Sequence, residues 1–547
     1  MKFKKNSFMQ GAFIATLGIV LTKILGIVYV VPFYSVVGSK GGALYAYAYN
    51  VYEIFLGISS AGIPLAMSKI VSEYVTEGNY YAKERVFKIG KIIAVSLAIF
   101  SFLVLMIFAP MLAKMIIGNV TGGNSQADIV FVIRVISTAI LIIPSLSIYK
   151  GYLQGHKFMS PSAISQVIEQ IVRVFIIIVG SYLTIRVFSL PLKIGVGIAV
   201  FAATVGALVS YIYIRVKTNQ NKKALQISKE KLHNKKIKDS KIIGKLFLYA
   251  LPFIIIDTLK PLYNSVDIVT LVKVLVNNLG YTAEVAESVL SVITTWGNKI
   301  NMIIVAISTG IITALIPSLT SSMVSGNMKN VREKINKSFQ MMIFFTIPAT
   351  IGISILAKPI WMVFYGNSGY EASVLAFSIF IALFNTTFTM AVSIIQILKE
   401  YKMVVISLIS GILFKVLFNI PNIYLFDKLG FKAYYGAIFT TIMGYFIGLV
   451  ILIVYLHKKY QVNFKKTYQR GLQILLSSLA MLVVILLLQR FMPVVAYKRI
   501  LNIPLIAGYT LIGIVIYFIL VNKCKLIDNI FGKGTLDNVL KKLKLKI

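Results

Sequence analysis

Ten ionisable side chains stand inside stretches of this 547-residue chain that are otherwise apolar: Lys23, Glu53, Arg134, Glu169, Arg173, Asp257, Lys260, Asp267, Lys299 and Lys415. A lone charge at the centre of hydrocarbon costs about 2.5–3.5 kcal/mol on insertion scales, so each must find a partner or face a cavity. Six of the ten are cations and four are acids. A cavity with fixed excess positive charge in low dielectric attracts a polyanion, and a pyrophosphate is one. That balance favours a lipid-linked pyrophosphate as cargo over cationic drugs.

Two groups carry spacing information. Glu169 and Arg173 are four residues apart, about one helical turn, so they share a face on which they can pair. Asp257, Lys260, Asn264 and Asp267 follow at steps of three, four and three, forming one polar stripe on a single helix, with Pro261 inside it to free a carbonyl and bend the chain. Each group also has a plainer reading. The Glu169/Arg173 pair could serve only to lock its own helix, and Arg134 lies near a span end, from which it can snorkel. Tyr45, Tyr49 and Tyr52, which precede Glu53, read as packing, because an aromatic stripe at helical spacing is more often core than ligand box.

The elements that must carry these groups follow from composition. The chain is 58% hydrophobic and 14% charged, with mean hydropathy +0.84, against about 25% charged in soluble proteins. It reads as an all-α polytopic membrane protein. A crossing helix needs about 20 apolar residues, and on that rule fourteen spans lie near 8–33, 43–66, 91–113, 129–149, 161–184, 194–215, 246–275, 291–320, 338–358, 372–398, 402–425, 433–456, 470–489 and 501–522. Alternate loops are rich in Lys and Arg, as are both termini. By the excess of cations in cytoplasmic loops, both termini are expected inside. The basic start, Met1 to Ser7, is read as flanking a first span and not as a removed signal.

The longest hydrophilic stretch, 217–245, holds ten lysines against two acids. It separates an N-lobe of six spans (1–216) from a C-lobe of six (246–457), followed by a last helix pair and basic tail (458–547). A weak internal repeat supports the halves: Gly62-Ile63, Ala66 and Gly78-Asn79 recur as Gly310-Ile311, Ala314 and Gly326-Asn327, and Gln154 and Arg173 fall opposite Gln396 and Lys415. The single cysteine, Cys524, excludes an intramolecular disulfide. His156, His233 and His457 have no ligand spacing, so no metal and no catalytic residue is expected. No GxxxxGK[ST] loop is present, so ATP is not the direct driver. The net charge of +38 falls in short loops between spans, which points to anionic membrane lipid and away from nucleic acid.

One segment is specific enough to suggest a family. In Gly151 to Arg173, the spacing of Gly151, Gln154, Gly155, Pro161, Ser165, Gln166, Glu169, Gln170 and Arg173 resembles the loop and fifth helix of the lipid II flippases of the MurJ/YtgP type, in the multidrug/oligosaccharidyl-lipid/polysaccharide exporter superfamily. Thr22 to Gly26, Arg134 to Gln154 and the loop 277–288 are similar to the same pattern. Where the Gram-positive flippases usually begin the eighth helix with Arg-Gly-Gln-Pro, this chain has Trp296-Gly297-Asn298-Lys299. The resemblance implies alternating access, a central cationic cavity for the head group and a groove from the last two helices for the polyprenyl tail. It implies no cofactor beyond coupling to membrane potential or a monovalent ion. The expected setting is the bacterial cytoplasmic membrane, and the expected partners are a polyprenyl-pyrophosphate-linked glycan and cell-wall synthesis or division proteins. Weighed against lipid II are another polyprenyl-linked unit (capsule, teichoic acid, spore cortex), a cation-coupled multidrug antiporter and a membrane-embedded glycosyltransferase or polymerase.

Overall fold

In hydrocarbon every backbone N–H and C=O must be satisfied within its own segment, which leaves the α-helix as the form available to apolar stretches of this length. The computed structural model describes residues 18, 21–60, 62–221, 225, 238–367, 369–491, 499 and 502–532. Among these, thirteen helices are long and apolar enough to cross a membrane. They answer to the second through fourteenth expected spans. The first, 8–33, lies largely outside the described residues, as do most of the basic stretch 217–245 and the end of the tail.

Chain packing defines two compact units, Met1–Trp296 and Gly297–Ile547. The first holds helices α1 (Val30–Ser60), α2 (Ile63–Thr76), α3 (Tyr80–Ile117), α4 (Gln126–Ile140), α5 (Ile143–Gly155), α6 (Met159–Phe175), α7 (Leu192–Gln220), α8 (Asp239–Asn277) and α9 (Ala283–Ser291). The second holds α10 (Gly297–Val324), α11 (Met328–Ile355), α12 (Ala357–Tyr365), α13 (Glu371–Ile397), α14 (Tyr401–Lys428), α15 (Tyr434–Tyr460), α16 (Lys465–Phe491), α17 (Asn502–Lys523) and α18 (Leu526–Phe531). The basic stretch divides the chain by connectivity after six spans. By packing, the seventh helix, α8, belongs to the first unit.

What binds α8 there is legible atom by atom. Asn50 of α1 donates to the Pro261 carbonyl at 3.0 Å and accepts from the Ser265 hydroxyl at 2.8 Å, so a buried amide answers the backbone around the proline. Glycines bring the backbones together: a Cβ on Gly57 would stand 3.0 Å from the Thr258 nitrogen, and one on Gly62 would stand 2.6 Å from the Ala250 oxygen. Gly62 also has φ +71°, which only glycine adopts freely, and it marks the break between α1 and α2. At the lysine-rich end, Arg85 grips Asp239 with two hydrogen bonds (2.8 and 2.5 Å), Lys245 pairs with Glu73, and Lys69 lies 3.7 Å above the Tyr249 ring.

The internal repeat is expressed in backbone geometry. Gly78 and Gly326 both turn with positive φ (72° and 70°), and the asparagine after each caps the next helix: Asn79 accepts from the Ala82 N–H and Asn327 from the Asn330 N–H, both at 3.0 Å. Lys157 and Lys399, each three residues beyond the matched glutamines, share φ of 64° and 63°. Gly62 and Gly310 part company, because Gly310 lies within the unbroken α10.

In the second unit, Phe344 of α11 packs against Tyr517 and Phe531, and the Tyr517 hydroxyl donates to the Phe344 carbonyl at 2.7 Å. This anchors the last helix pair. Large apolar side chains such as Ile92, Phe100, Ile107 and Leu248 are exposed, as expected of surfaces solvated by acyl chains.

The glycines of α5 carry a test. A Cβ at Gly151 would stand 2.5 Å from the Pro64 oxygen, and one at Gly155 would stand 2.8 Å from the Ser68 oxygen, both backbone atoms of α2. Gly151→Ala and Gly155→Ala are therefore expected to lower stability by about 1–3 kcal/mol through overpacking, seen as a lower melting midpoint and less monodisperse protein after detergent extraction. Gly352→Ala, with nothing within 4 Å, serves as the control and leaves both unchanged.

Candidate functional site

The site grows from the turn between α5 and α6. Leu153 and Gln154 carbonyls close the end of α5, Lys157 takes the left-handed conformation, and α6 starts at Met159 with Pro161 in its first turn. Gln154 Nε2 reaches Ser162 Oγ at 2.9 Å, tying the two helices together. Ser210 of α7 donates to the Ser165 carbonyl at 2.9 Å, and Gly206 lets α7 approach the Glu169 backbone, its Cβ position lying 2.7 Å from the Glu169 oxygen. Gln166 and Gln170 are half-buried on the same helix. Beyond Phe175 the segment continues as two π-helical stretches, Ile176–Gly180 and Leu183–Val187, a geometry that recurs at functional positions in helices.

On this frame the Glu169 carboxylate lies between two cations. Arg173 Nη2 donates to Oε1 at 3.1 Å and Lys150 Nζ donates to Oε2 at 3.3 Å. The side chains are 12% (Lys150), 18% (Glu169) and 21% (Arg173) exposed, shielded but reachable. The cluster carries one net positive charge. The expected pair is therefore a triad, and removing Arg173 alone leaves Glu169 a partner in Lys150. Beside it, Tyr45, Tyr49 and Tyr52 of α1 lie within electrostatic range of Arg173. The Tyr45 and Tyr49 rings stack at 4.3 Å, and Tyr49 meets Tyr52 edge-on at 5.7 Å.

The other expected groups differ in how far they are shielded. Lys23 is half-buried in the helical residues 21–28, and Glu53 is exposed. Arg134 is exposed, with Nε 3.3 Å from the Met106 carbonyl. The stripe on α8 runs from open to closed: Lys260 pairs with Asp257 at 2.9 Å with both half-exposed, Asn264 is half-buried, and Asp267 is 1% exposed. In the second unit Lys299 is half-buried, while Lys415 is fully enclosed, one turn from the equally enclosed Asn419 on α14.

Sequence reasoning missed two buried charges near span ends. Lys83 is 1% exposed; its ammonium donates to the Leu225 carbonyl at 2.8 Å and pairs at 3.0 Å with Glu84, which accepts from the Tyr152 hydroxyl. Glu287 is enclosed and accepts from the Asn124 backbone N–H (2.9 Å) and Nδ2 (2.8 Å). Both sit where hydropathy places loops, so no local signal marks them.

Residues 8–323 match the family described as polysaccharide biosynthesis protein. The chain is 33% identical over 490 residues to the lipid II flippase MurJ of Bacillus subtilis (strain 168), covering 88% of this chain and 89% of that protein. Its fold is similar to a lipid II flippase MurJ in an inward closed conformation, with TM-score 0.66 and 17% identity over 93% of this chain and 98% of that one. It is also similar to an inward-facing multidrug resistance MATE family transporter of the MOP superfamily, with TM-score 0.61 and 12% identity over 82% and 98%.

Because Glu169 is shared, the triad should respond as a unit. Arg173→Met or Lys150→Met alone is expected to cost about 1.5–3 kcal/mol, the range for a hydrogen bond to a charged group. The double variant, which strands the carboxylate, should cost more than the sum, and adding Glu169→Gln should recover most of the loss. Thermal midpoints of the purified variants measure the cycle; strict additivity would show that the three do not act together.

Proposed function

Because the chain belongs to the polysaccharide biosynthesis protein family, where it shares a third of its sequence with a lipid II flippase along nearly the whole of both, we propose that it exports lipid II, an undecaprenyl-pyrophosphate-linked sugar precursor of peptidoglycan. The near full-length identity carries this reading. The protein is a multi-pass transporter of the bacterial cytoplasmic membrane and not an enzyme. It works by alternating access, with the lysine-rich ends of its helices and both termini in the cytoplasm, where cations meet anionic lipid.

The charge pattern supports an anionic head group. Among the ten charges carried within the apolar spans six are cations and four are acids, and a cationic drug would meet repulsion where a pyrophosphate meets attraction. The sequence has no GxxxxGK[ST] motif, and the drive is assigned to membrane potential or a monovalent ion. Lys23, Arg134, Arg173, Lys260, Lys299 and Lys415, with Glu53, Asp257 and Asp267, are the residues assigned to cargo binding.

Complementation tests the cargo. When the resident lipid II flippase of a bacterial host is depleted, this protein is expected to restore growth and outer-leaflet lipid II. No rescue, with the protein present in the membrane, would move the cargo to another polyprenyl-linked glycan. In the rescued strain, Lys23→Ala and Lys260→Ala should each abolish flipping at normal membrane levels. Unchanged flipping by both variants would end the cationic-cavity account.

A further inference from the structure

The Arg173 guanidinium is only partly used. Nη2 serves Glu169, whereas Nε is buried without a hydrogen-bond partner among the described residues. A guanidinium presents its donors as a rigid planar fork and keeps its charge, so an unanswered N–H beside a committed one is a donor held in a fixed direction. Leaving such a donor permanently unanswered in a shielded site is costly, and the cost is removed when a ligand supplies an acceptor.

The surroundings select the acceptor. Two cations face one carboxylate, so the cluster holds one net positive charge. Three tyrosines from α1 lie within electrostatic range of Arg173, at positions spaced four and three apart and therefore on one helix face. Tyr45 and Tyr52 are buried, and the stacked and edge-on contacts hold the rings in fixed positions. Packing needs only rings, and phenylalanine would supply them; hydroxyls beside a guanidinium with a spare donor supply hydrogen bonds to an anion. A carboxylate presents oxygens in one plane, whereas a phosphoryl group presents them tetrahedrally, which suits donors from Arg173 on α6, Lys150 on α5 and the tyrosines on α1.

We propose that Arg173 and Lys150, together with the hydroxyls of Tyr45, Tyr49 and Tyr52, form a subsite for one phosphoryl group of the transported lipid, with Glu169 as the positioning residue that holds both cations while the subsite is empty. The identity of that lipid rests on the flippase reading above; the anion chemistry of the subsite does not. The ligand takes Arg173 Nε, so the Glu169 contact to Nη2 need not break on binding.

The test uses the full-length protein in lipid nanodiscs and two probes, inorganic pyrophosphate and farnesyl pyrophosphate, with binding followed by calorimetry. Wild type is expected to bind both, and Tyr49→Phe and Tyr52→Phe should each weaken binding about tenfold, the scale of one hydrogen bond to a charged group. Arg173→Lys, which keeps the charge and loses the fork, should also weaken binding about tenfold or more. The Phe variants keep the ring contacts, so their melting midpoints without probe should match wild type. No binding of either probe by wild type, or unchanged affinity in both Phe variants, would overturn the subsite. Lower midpoints with unchanged affinity would show the hydroxyls to be structural, and would overturn it too. Failure of lipid II complementation alongside hydroxyl-dependent probe binding would instead remove the cargo and leave the subsite standing.

Discussion

A carboxylate in a membrane segment must be answered, and the way Glu169 is answered sets the arrangement around it. Its two oxygens go to different helices, Arg173 on its own α6 and Lys150 on α5. The charge therefore fixes the angle of a helix hairpin as well as neutralising a side chain. That geometry would be out of reach if α5 stood off from its neighbours. Gly151 and Gly155 let it lie against the α2 backbone, and Gly206 lets α7 close on α6. The motif glycines and the motif charges are thus parts of one requirement: close backbones place the ammonium and guanidinium within reach of a single acid, in a medium where a stray charge is expensive.

The same logic governs α8. By chain order it opens the second half, yet Asn50, Gly57, Gly62 and three contacts at the lysine-rich end bind it to the first unit. Hydrocarbon gives apolar faces no preference for one another over lipid, so polar matches and close backbone approaches decide which helices associate.

What was readable in advance follows from which interactions are local. Span positions depend on length and hydropathy, and the thirteen membrane-length helices among the described residues fall on the expected ones. The repeat was readable because Gly78-Asn79 and Gly326-Asn327 encode the same turn and cap within four residues. The Glu169/Arg173 contact was readable as a one-turn pair. Lys150 as second partner, the tyrosines around Arg173, Lys83 on the Leu225 carbonyl and Glu287 on Asn124 all depend on distant segments meeting, which periodicity does not carry. The stacked and edge-on rings of Tyr45, Tyr49 and Tyr52 agree with the packing that their spacing suggests, and spacing is the same whether or not a hydroxyl is used. The stripe on α8 lies within one unbroken helix, as its spacing requires. Its change from a half-exposed Lys260 to an enclosed Asp267 comes from neighbouring helices that the stripe itself does not specify.

The first two turns of α3 hold residues near both ends of the central basic stretch. Lys83 grips the Leu225 carbonyl near its start and, two residues on, Arg85 grips Asp239 at its close. Leu225 is seated in an apolar cluster, and α8 has its own attachments along α1 and α2. These attachments hold the seventh helix to the first unit independently of the covalent link between 225 and 239. Cleavage of that link would break none of them.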